Sequence, residues 1–339
     1  MTRRMVLRNV WIMFFAMVLI AALPFHAQSK TSYPEKPVQV LVGYGPGGGT
    51  DQVARAYCEL MSKELGRKFL VINLPGAASA NSVNGLMEAD PDGYTLLCIP
   101  STISMLPTMG YVKYTYADMQ PIGTLDMGMP LLIVKKDSKF KTAEDFFNEA
   151  KKNPGKLKVG TAYAGGQFHL ALLDLVKKAN INVIILPTAH GGSGLNASLL
   201  GGHVDAIYCD ANEAVSQLKG GIFIPLASSG TERSPYLKDV PTFKEIGINF
   251  SSTPLRGVLA PKGLPEDVLK ILVDTTQKVV NSPKWNEFMG NTYRISHWIG
   301  PKSVFGNFSF YSYKKACGQK KTVRGSKNSR RLSNGTPAI

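Results

Sequence analysis

The strongest constraint on the fold is a regular alternation of short apolar runs with amphipathic helical patterns, joined by glycine-rich turns. The first run, Val38–Val42, leads into the glycine-rich segment 43–49. The following residues place apolar side chains at helical spacing up to a stop signal at Gly66. Further strands are predicted at Phe69–Ile72 and Tyr94–Ile99. Such repeats require crossover connections and predict an α/β fold with a mostly parallel sheet.

The same alternation restarts after residue 130 and predicts a second unit of the same kind. A capping box formed by Thr142 and Asp145 starts its first helix, and Pro265 and Pro283 start two later helices. Strands are predicted at Leu131–Val134, Lys158–Thr161, Val183–Leu186, Val204–Tyr208 and Phe223–Leu226. Two such units in one chain suggest a hinged protein that binds a ligand between them, beyond the carboxyl ends of the strands.

The first residues are typical of an export signal. Arg3, Arg4 and Arg8 precede an uncharged apolar run, Val10–Phe25. That run is shorter than the roughly 20 residues that a membrane-spanning helix needs, but it suits the apolar part of a signal peptide. Small residues at 27 and 29 predict cleavage near residues 27–29, which makes 1–29 a signal peptide and the mature protein periplasmic. The alternative is an uncleaved N-terminal anchor.

The positive charge is concentrated at the two ends of the chain. The formal net charge is +15, of which residues 1–29 contribute +3 and residues 302–339 contribute +9. The remaining segment carries only +3. A nucleic-acid-binding surface would place its charge on the folded part of the chain, so we expect no nucleic-acid partner.

The four cysteines show no metal-binding or redox spacing. They are Cys58, Cys98, Cys209 and Cys317. No zinc ribbon, thioredoxin-like motif or metal site is therefore predicted. Export leaves a disulfide open, because the sequence cannot show which cysteines lie close together.

The glycine-rich segment 43–49 matches the spacing of a dinucleotide-binding loop, but its surroundings do not. The next strand ends in Asn73-Leu74-Pro75 rather than in a ribose-binding acid, and Pro46 removes one backbone N–H. A phosphate-binding Walker loop would need Lys and Ser or Thr where Thr50-Asp51 stands. We therefore predict no cofactor. What remains is a run of bare amides at a helix N-terminus, which suits a carboxylate or phosphate, or else a tight turn without a ligand.

No set of residues predicts catalysis. Gly192-Ser193-Gly194 lacks the first glycine of a nucleophile elbow, because His190 stands in its place. His190 lies in a loop predicted at Ala189–Gly194, where its side chain could face a ligand. An enzyme using His190 or Asp210 is an alternative, but no acid–base pair at useful spacing supports it.

Seven short motifs arrive in the order found in a known family, and they cover nearly the whole mature chain. They are Tyr33-Pro34-x-Lys36-Pro37, Pro46-Gly47-Gly48-Gly49-Thr50-Asp51, Asn73-x-Pro75-Gly76-Ala77, Asp92-Gly93-Tyr94-Thr95, Leu199-Leu200-Gly201-Gly202-x-Val204-Asp205, Val240-Pro241-Thr242-x-x-Glu245-x-Gly247 and Ala260-Pro261-Lys262-Gly263-x-Pro265. With these motifs the sequence resembles the extracytoplasmic solute receptors of tripartite tricarboxylate transporters, the Bug or TctC-like family.

The resemblance implies a two-lobe clamp of the periplasmic-binding-protein kind, with two strands crossing between the lobes. The first lobe would comprise residues 32–129 plus 254–301, and the second residues 130–253. The resemblance also implies that the loop Gly45–Asp51 and the loop Ala189–Ser193 grip the carboxylate of a small organic acid. Asp51 would also cap the helix that follows it. The predicted ligand-binding residues are Gly45, Gly47, Gly48, Gly49, Thr50, Asp51, Thr161, Gln167, Ala189, His190, Gly191, Gly192, Ser193 and Asp210.

Several positions depart from the family pattern. Gly43-Tyr44 replaces Pro-Phe, Leu74 replaces Arg, Ala189-His190 replaces Tyr-Lys, and Leu255 replaces an aromatic residue. These changes touch the pocket, so no particular ligand is transferred. From about Ser303 the acid-containing amphipathic helix that closes the family's first lobe is replaced by a basic stretch, either a frameshifted end or a real extension. We expect residues after about 315 to lack a fixed structure.

The function that the resemblance implies is a monomeric periplasmic receptor. It would bind a small carboxylate, make or break no bond, and deliver the ligand transiently to integral-membrane transporter subunits. One alternative keeps the receptor but has a signalling sensor read its closure. The other alternative is the periplasmic α/β enzyme considered above.

Overall fold

The computed structural model describes residues 32–303, which form two sheets with flanking helices. The strands are β1 Val38–Val42, β2 Phe69–Asn73, β3 Thr95–Pro100, β4 Met119–Met127, β5 Pro130–Lys135, β6 Lys158–Ala162, β7 Ile184–Thr188, β8 Ala206–Asp210, β9 Phe223–Ser228, β10 Leu255–Pro261 and β11 Ile295–Ser296. The helices are α1 Gly49–Leu65, α2 Ala80–Met87, α3 Ala143–Lys152, α4 Gln167–Ala179, α5 Gly191–Leu200, α6 Val215–Lys219, α7 Glu266–Val280 and α8 Pro283–Asn291.

Each sheet combines a parallel half with an antiparallel half. The first sheet has the order β11-β4-β10-β3-β1-β2, and the second has the order β7-β6-β8-β5-β9. Strands β1, β2 and β3 pair in parallel, as do β6, β7 and β8, whereas β4, β5, β9, β10 and β11 pair antiparallel with their neighbours. The prediction of two α/β units is confirmed. The sheets are mixed, because β5 and β10, which enter from the other sheet, run against their neighbours.

The chain passes between the two sheets twice. Gly128 and Met129 join β4 to β5, and residues 229–254 join β9 to β10. The two crossings are hydrogen-bonded to each other, since the Gly128 N–H donates to the carbonyl of Pro254 at 2.7 Å. We call each sheet with its helices a lobe. No strand spans the predicted limits, so we retain 32–129 plus 254–301 and 130–253 as the proposed lobes.

Each lobe has its own apolar core. In the second lobe five buried phenylalanines pack edge to face, and the ring centroids of Phe140 and Phe146 lie 5.3 Å apart. In the first lobe, α1 buries Val53, Tyr57 and Met61 against the sheet. Fully burying such a side chain stabilises the fold by about 1.5–3 kcal/mol relative to leaving it exposed.

Local sequence signals set several helix boundaries as predicted. Gly66 ends α1 in the left-handed region, at φ 67°. The capping box at α3 is present, with the Asp145 N–H donating to Thr142 Oγ1 at 3.1 Å. Residues 191–194, predicted as loop, instead form the first turn of α5. Burial of Leu195 and Leu199 holds that turn helical despite its glycines.

Cys58, Cys98 and Cys209 are buried free thiols, so no disulfide links these three. Burial raises the pKa of each thiol.

Cys317, the predicted signal peptide and nearly all of the basic tail lie outside the described residues. Within residues 32–303, no helix has both the length and the apolar character needed to cross a bilayer.

Candidate functional site

A cavity of about 820 Å³ lies between the two sheets, and we call it the cleft. Its walls are formed by the segments that follow β1, β2 and β3 in the first lobe and β6, β7 and β8 in the second. These are the carboxyl ends of the parallel strands, where the loops of α/β sheets leave room for a ligand. The cleft therefore occupies the position that the sequence predicts for binding.

The first wall is the glycine loop, residues 43–49, which connects β1 to α1. Gly47 has a positive φ of 79°, which favours glycine. Gly48 is the N-cap residue of α1, and no side chain at this position caps the helix. The N-terminus of α1 thus faces the cleft with backbone N–H groups and the positive end of the helix dipole.

Asp51 braces this loop from behind and does not line the cleft. Its carboxylate accepts hydrogen bonds from the Gly47 N–H at 2.9 Å, from Arg55 Nε at 2.8 Å and from Asn73 Nδ2 at 2.9 Å. Burial alone would raise the pKa of Asp51, but these hydrogen bonds lower it on balance. Asp51 is only 2% exposed, so its carboxylate holds the turn.

The opposite wall contains the N-terminus of α4. Gly166 is the N-cap residue of α4, and no side chain at this position caps the helix. His169 closes the preceding turn, because its Nδ1 accepts the Gly165 N–H at 2.9 Å. Gln167 lines the cleft, and its Nε2 is buried without a hydrogen-bond partner among residues 32–303. This side chain offers an unused donor to a ligand.

The N-terminus of α5 also lies at the cleft, but its hydrogen-bonding groups are largely used. The His190 N–H donates to Thr188 Oγ1 at 3.3 Å, and Ser193 Oγ donates to the His190 carbonyl at 2.9 Å. Gly191 has φ 56°, and a Cβ there would lie 3.2 Å from the Tyr163 hydroxyl oxygen. The exposed His190 side chain lines the cleft.

Glu213 places a carboxyl group on the same wall. Its side chain accepts a hydrogen bond from the Gly192 N–H in the first turn of α5, and Oε2 accepts the Asp210 N–H at 3.3 Å. A Cβ on Gly192 would lie 2.6 Å from Glu213 Cβ, so the close approach requires glycine. Burial, and then the charge of Asp210, raise the pKa of Glu213 to about 7.

Two tyrosines face each other from the two lobes. The ring centroids of Tyr44 and Tyr163 lie 6.0 Å apart. The Tyr44 hydroxyl also shares a hydrogen bond of 3.3 Å with Thr102 Oγ1 in the first lobe. Burial raises the pKa of Tyr44. The lobes therefore meet at one side of the cleft through aromatic rings.

Beneath the cleft lies a buried group of four charged side chains, which we call the charge cluster: Asp126, Asp210, Arg256 and Arg294. Arg256 Nη1 lies 3.3 Å from Asp126 and its Nη2 lies 3.3 Å from Asp210. Arg294 pairs with both carboxylates. Asp126 belongs to β4 in the first sheet and Asp210 to β8 in the second, so the cluster links the lobes at the crossings.

The structure brings eleven of the predicted ligand residues to the cleft wall and leaves three behind it. Asp51 braces the glycine loop, as described above. Thr161 is fully buried and donates to the Tyr208 carbonyl at 3.3 Å. Asp210 is fully buried in the charge cluster and also accepts the Met129 N–H at 3.0 Å. The residues on the wall are Gly45, Gly47, Gly48, Gly49, Thr50, Gln167, Ala189, His190, Gly191, Gly192 and Ser193.

Sequence reasoning missed Glu213 and Arg256 on the wall, and Asp126 and Arg294 behind it. The hydrogen bonds within the charge cluster join residues between 46 and 168 positions apart, so no local spacing connects them. Glu213 stands three residues after Asp210, the spacing of a capping box, but its contact with Gly192 on α5 has no local signal. Arg256 gave one usable signal, since it is a charged residue inside the apolar strand β10.

Among residues 32–303, no group of His, Cys, Asp and Glu side chains could hold a metal ion.

Comparison with known proteins gives concordant matches. A family model described as "Tripartite tricarboxylate transporter family receptor" matches residues 53–299. A UPF0065 protein of Cupriavidus necator is 31% identical over 274 residues, covering 79% of this chain and 81% of that protein. The periplasmic binding protein BugD superposes with a TM-score of 0.73 at 29% identity, covering 82% of this chain and 94% of BugD. MatC of Rhodopseudomonas palustris, solved with bound malate, has the same fold at a TM-score of 0.69 and 24% identity, covering 78% of this chain and 91% of MatC.

Proposed function

Because the chain belongs to the receptor family of the tripartite tricarboxylate transporters, we propose that it is a periplasmic receptor for a small organic carboxylate. It binds the ligand in the cleft, closes on it, and delivers it to membrane subunits of a transporter without making or breaking a bond. The export signal predicted at residues 1–29 supports the periplasmic location.

One observation carries the ligand class: the N-termini of α1 and α4, from different lobes, both lie at the wall of one cleft without side-chain caps. The positive end of a helix dipole favours an anion by about 0.3–1 kcal/mol when exposed, and by up to about 2 kcal/mol when partly buried. The free N–H groups of a first helical turn also donate hydrogen bonds to a carboxylate. Two such ends facing one space favour an anion held from both sides.

Cationic side chains on the described wall do not take over anion binding from these backbone amides. Arg256 is the one Arg or Lys on the described wall, and each of its three nitrogens already binds another side chain of the protein. Its Nε donates to Thr50 Oγ1 at 3.1 Å, while its two other nitrogens bind Asp126 and Asp210. Backbone N–H groups and Gln167 Nε2, which has no hydrogen-bond partner among residues 32–303, therefore supply donors that are not committed to a protein ion pair. They suit a carboxylate better than a larger multiply charged group.

The size of the cleft agrees with a small ligand. Pockets for small molecules commonly enclose about 300–1,000 Å³, and this one has about 820 Å³. Since its walls come from both lobes, a ligand that contacts both favours the closed arrangement through its differential affinity for it.

The test begins with native mass spectrometry of the purified mature protein, which identifies any co-purified small molecule. Calorimetry then compares the affinity of the identified acid with that of its methyl ester, which keeps the shape but removes the negative charge. We expect the acid to bind and the ester to bind at least about tenfold more weakly, since hydrogen bonds to a charged group contribute about 1.5–3 kcal/mol each. Equal affinity for the ester, or a bound molecule without an acidic group, would overturn the assignment.

A further inference from the structure

Glu213 changes the chemistry of one end of the cleft. Three of the described helices begin at the wall, and α5 differs from α1 and α4 because a carboxylate that lies on the wall, Glu213, accepts an N–H of its first turn. The Asp51 carboxylate at α1 accepts the Gly47 N–H, which precedes the helix, and does not lie on the wall. At α5, the Gly192 N–H donates to Glu213. A ligand carboxylate would bind as an anion at a helix N-terminus. At α5 the carboxylate of Glu213 already occupies that position.

The surroundings fix Glu213 in this place. Its main-chain carbonyl accepts a hydrogen bond from Asn196 Nδ2 on α5 at 2.8 Å, and its Oε2 accepts the Asp210 N–H. Gly192 lacks the side chain that would push Glu213 away, since a Cβ there would lie 2.6 Å from Glu213 Cβ. The carboxyl group is held from α5 and from the end of β8 together.

From this geometry we infer that Glu213 excludes a ligand carboxylate from the α5 end of the cleft and selects a ligand that presents a hydrogen-bond donor there. The ligand class is a monocarboxylic acid whose far end carries an amide, hydroxyl or ammonium group. The inference rests on the proposed function, because the ligand's single carboxylate is assigned to the α1 and α4 ends.

Electrostatics sets the direction of this selection. When Glu213 is ionised, a second ligand carboxylate beside it would place two like charges in a partly dehydrated site, where repulsion is stronger than in water. A donor group instead forms a charge-assisted hydrogen bond with Glu213. The pKa of Glu213 is about 7, so the selection is strongest at a pH of about 8 or above.

The experiment compares matched ligands that differ only at the far end. Calorimetry at a pH of about 8 measures the affinity of succinate, glutarate and adipate and of the half-amide of each. In the wild-type chain we expect the best-fitting half-amide to bind about tenfold or more tightly than its diacid. In Glu213→Gln we expect that ratio to fall to about one, mainly because the diacid binds more tightly.

Glu213→Gln should fold, because the Gln side-chain oxygen can still accept the Gly192 N–H. Glu232→Gln is the matched control: it makes the same charge change at an exposed residue of the same lobe, away from the cleft wall. We expect this control to keep the wild-type ratio.

The outcomes separate the two proposals. A wild-type chain that binds a diacid as tightly as its half-amide, or a ratio unchanged by Glu213→Gln, overturns the selection by Glu213 and leaves the carboxylate receptor standing. If neither the folded wild type nor folded Glu213→Gln binds any of these acids, the carboxylate function falls, and the selection falls with it.

Discussion

Gly48 tests the glycine loop at the scale of a single residue. Its φ of −70° and ψ of 163° are open to any residue, and a Cβ would lie 3.3 Å from the Gly45 carbonyl oxygen. Gly48→Val therefore keeps an allowed backbone conformation, but its Cβ makes a tight contact with that oxygen, and its side chain adds bulk beside the first turn of α1. We expect affinity for the carboxylate to fall about tenfold to a hundredfold, the loss of one hydrogen bond to a charged group.

Calorimetry on Gly48→Val measures this change. Gly300→Val is the control, because a Cβ there would lie no closer than 3.9 Å to its neighbours and Gly300 is not on the cleft wall. Unchanged affinity in a folded Gly48→Val protein would contradict the anion site at α1.

Glu213 predicts a pH dependence of stability. Its pKa rises from 4.5 to about 7 in the folded chain, so between these values the folded state holds a proton that the unfolded state has lost. This group's contribution to the free energy of unfolding is therefore largest below about pH 4.5 and falls as the pH rises to about 7. The charged and titratable groups that interact with Glu213 are Asp210, Arg294, Tyr44, Tyr163 and Cys209.

Chemical denaturation of wild type and Glu213→Gln over this pH range isolates the contribution. We expect the stability of the wild type relative to the variant to decrease with rising pH and to level off above about pH 7. A difference that stays constant, or increases, would contradict the raised pKa.

At the scale of helices and strands, local chemistry predicted boundaries better than it predicted sheet membership. Gly66 and the Thr142–Asp145 capping box act within one helical turn, so their effect is readable from neighbouring residues. Strands β4 and β10 were not predicted from the residues. β4 contains Pro121, Gly123 and Asp126, and its burial comes from pairing with β10, which lies more than 120 residues later.

The α3 capping box predicts a stability change that is confined to one element. Thr142→Ala removes the oxygen that accepts the Asp145 N–H. We expect the free energy of unfolding to fall by about 0.5–2 kcal/mol, as for other N-cap losses. Thr115→Ala is the matched control, since Thr115 and Asp118 form the same box on the three-residue 3₁₀ turn Tyr116–Asp118.

Chemical denaturation of both variants makes the comparison. The Thr115 variant should lose less stability, because a single turn contributes fewer hydrogen bonds than the ten residues of α3. An equal or larger loss at Thr115 would show that the box acts through something other than the helix that it caps.

At the scale of the whole molecule, the two lobes were predictable and their connection was not. Repeated strand–helix patterns mark each lobe along the sequence. The charge cluster instead joins residues from four distant places in the chain, and only the folded crossings bring them together. Glu213 forms a local capping box with Asp210, but its contact with Gly192, which lies on another element of the same wall, could not be predicted from neighbouring residues.

Removing one charge from the cluster should destabilise the chain strongly. Asp126→Asn leaves two buried arginines facing the single carboxylate of Asp210, and an unpaired buried charge commonly costs about 3–5 kcal/mol. Asp274→Asn is the control, because its pair with Lys270 is exposed and should contribute at most about 1 kcal/mol. Chemical denaturation of both variants measures the difference, and similar losses would contradict a structural role for the cluster.

The central claim is that a carboxylate is held by both lobes and thereby closes the molecule. Small-angle X-ray scattering of the mature protein, with and without a saturating acid whose binding calorimetry has established, tests this most directly. We expect the radius of gyration to fall when the acid is added and to stay unchanged with its methyl ester at the same concentration. An unchanged radius of gyration with the acid bound would contradict it, because the carboxylate would then be held by one lobe alone.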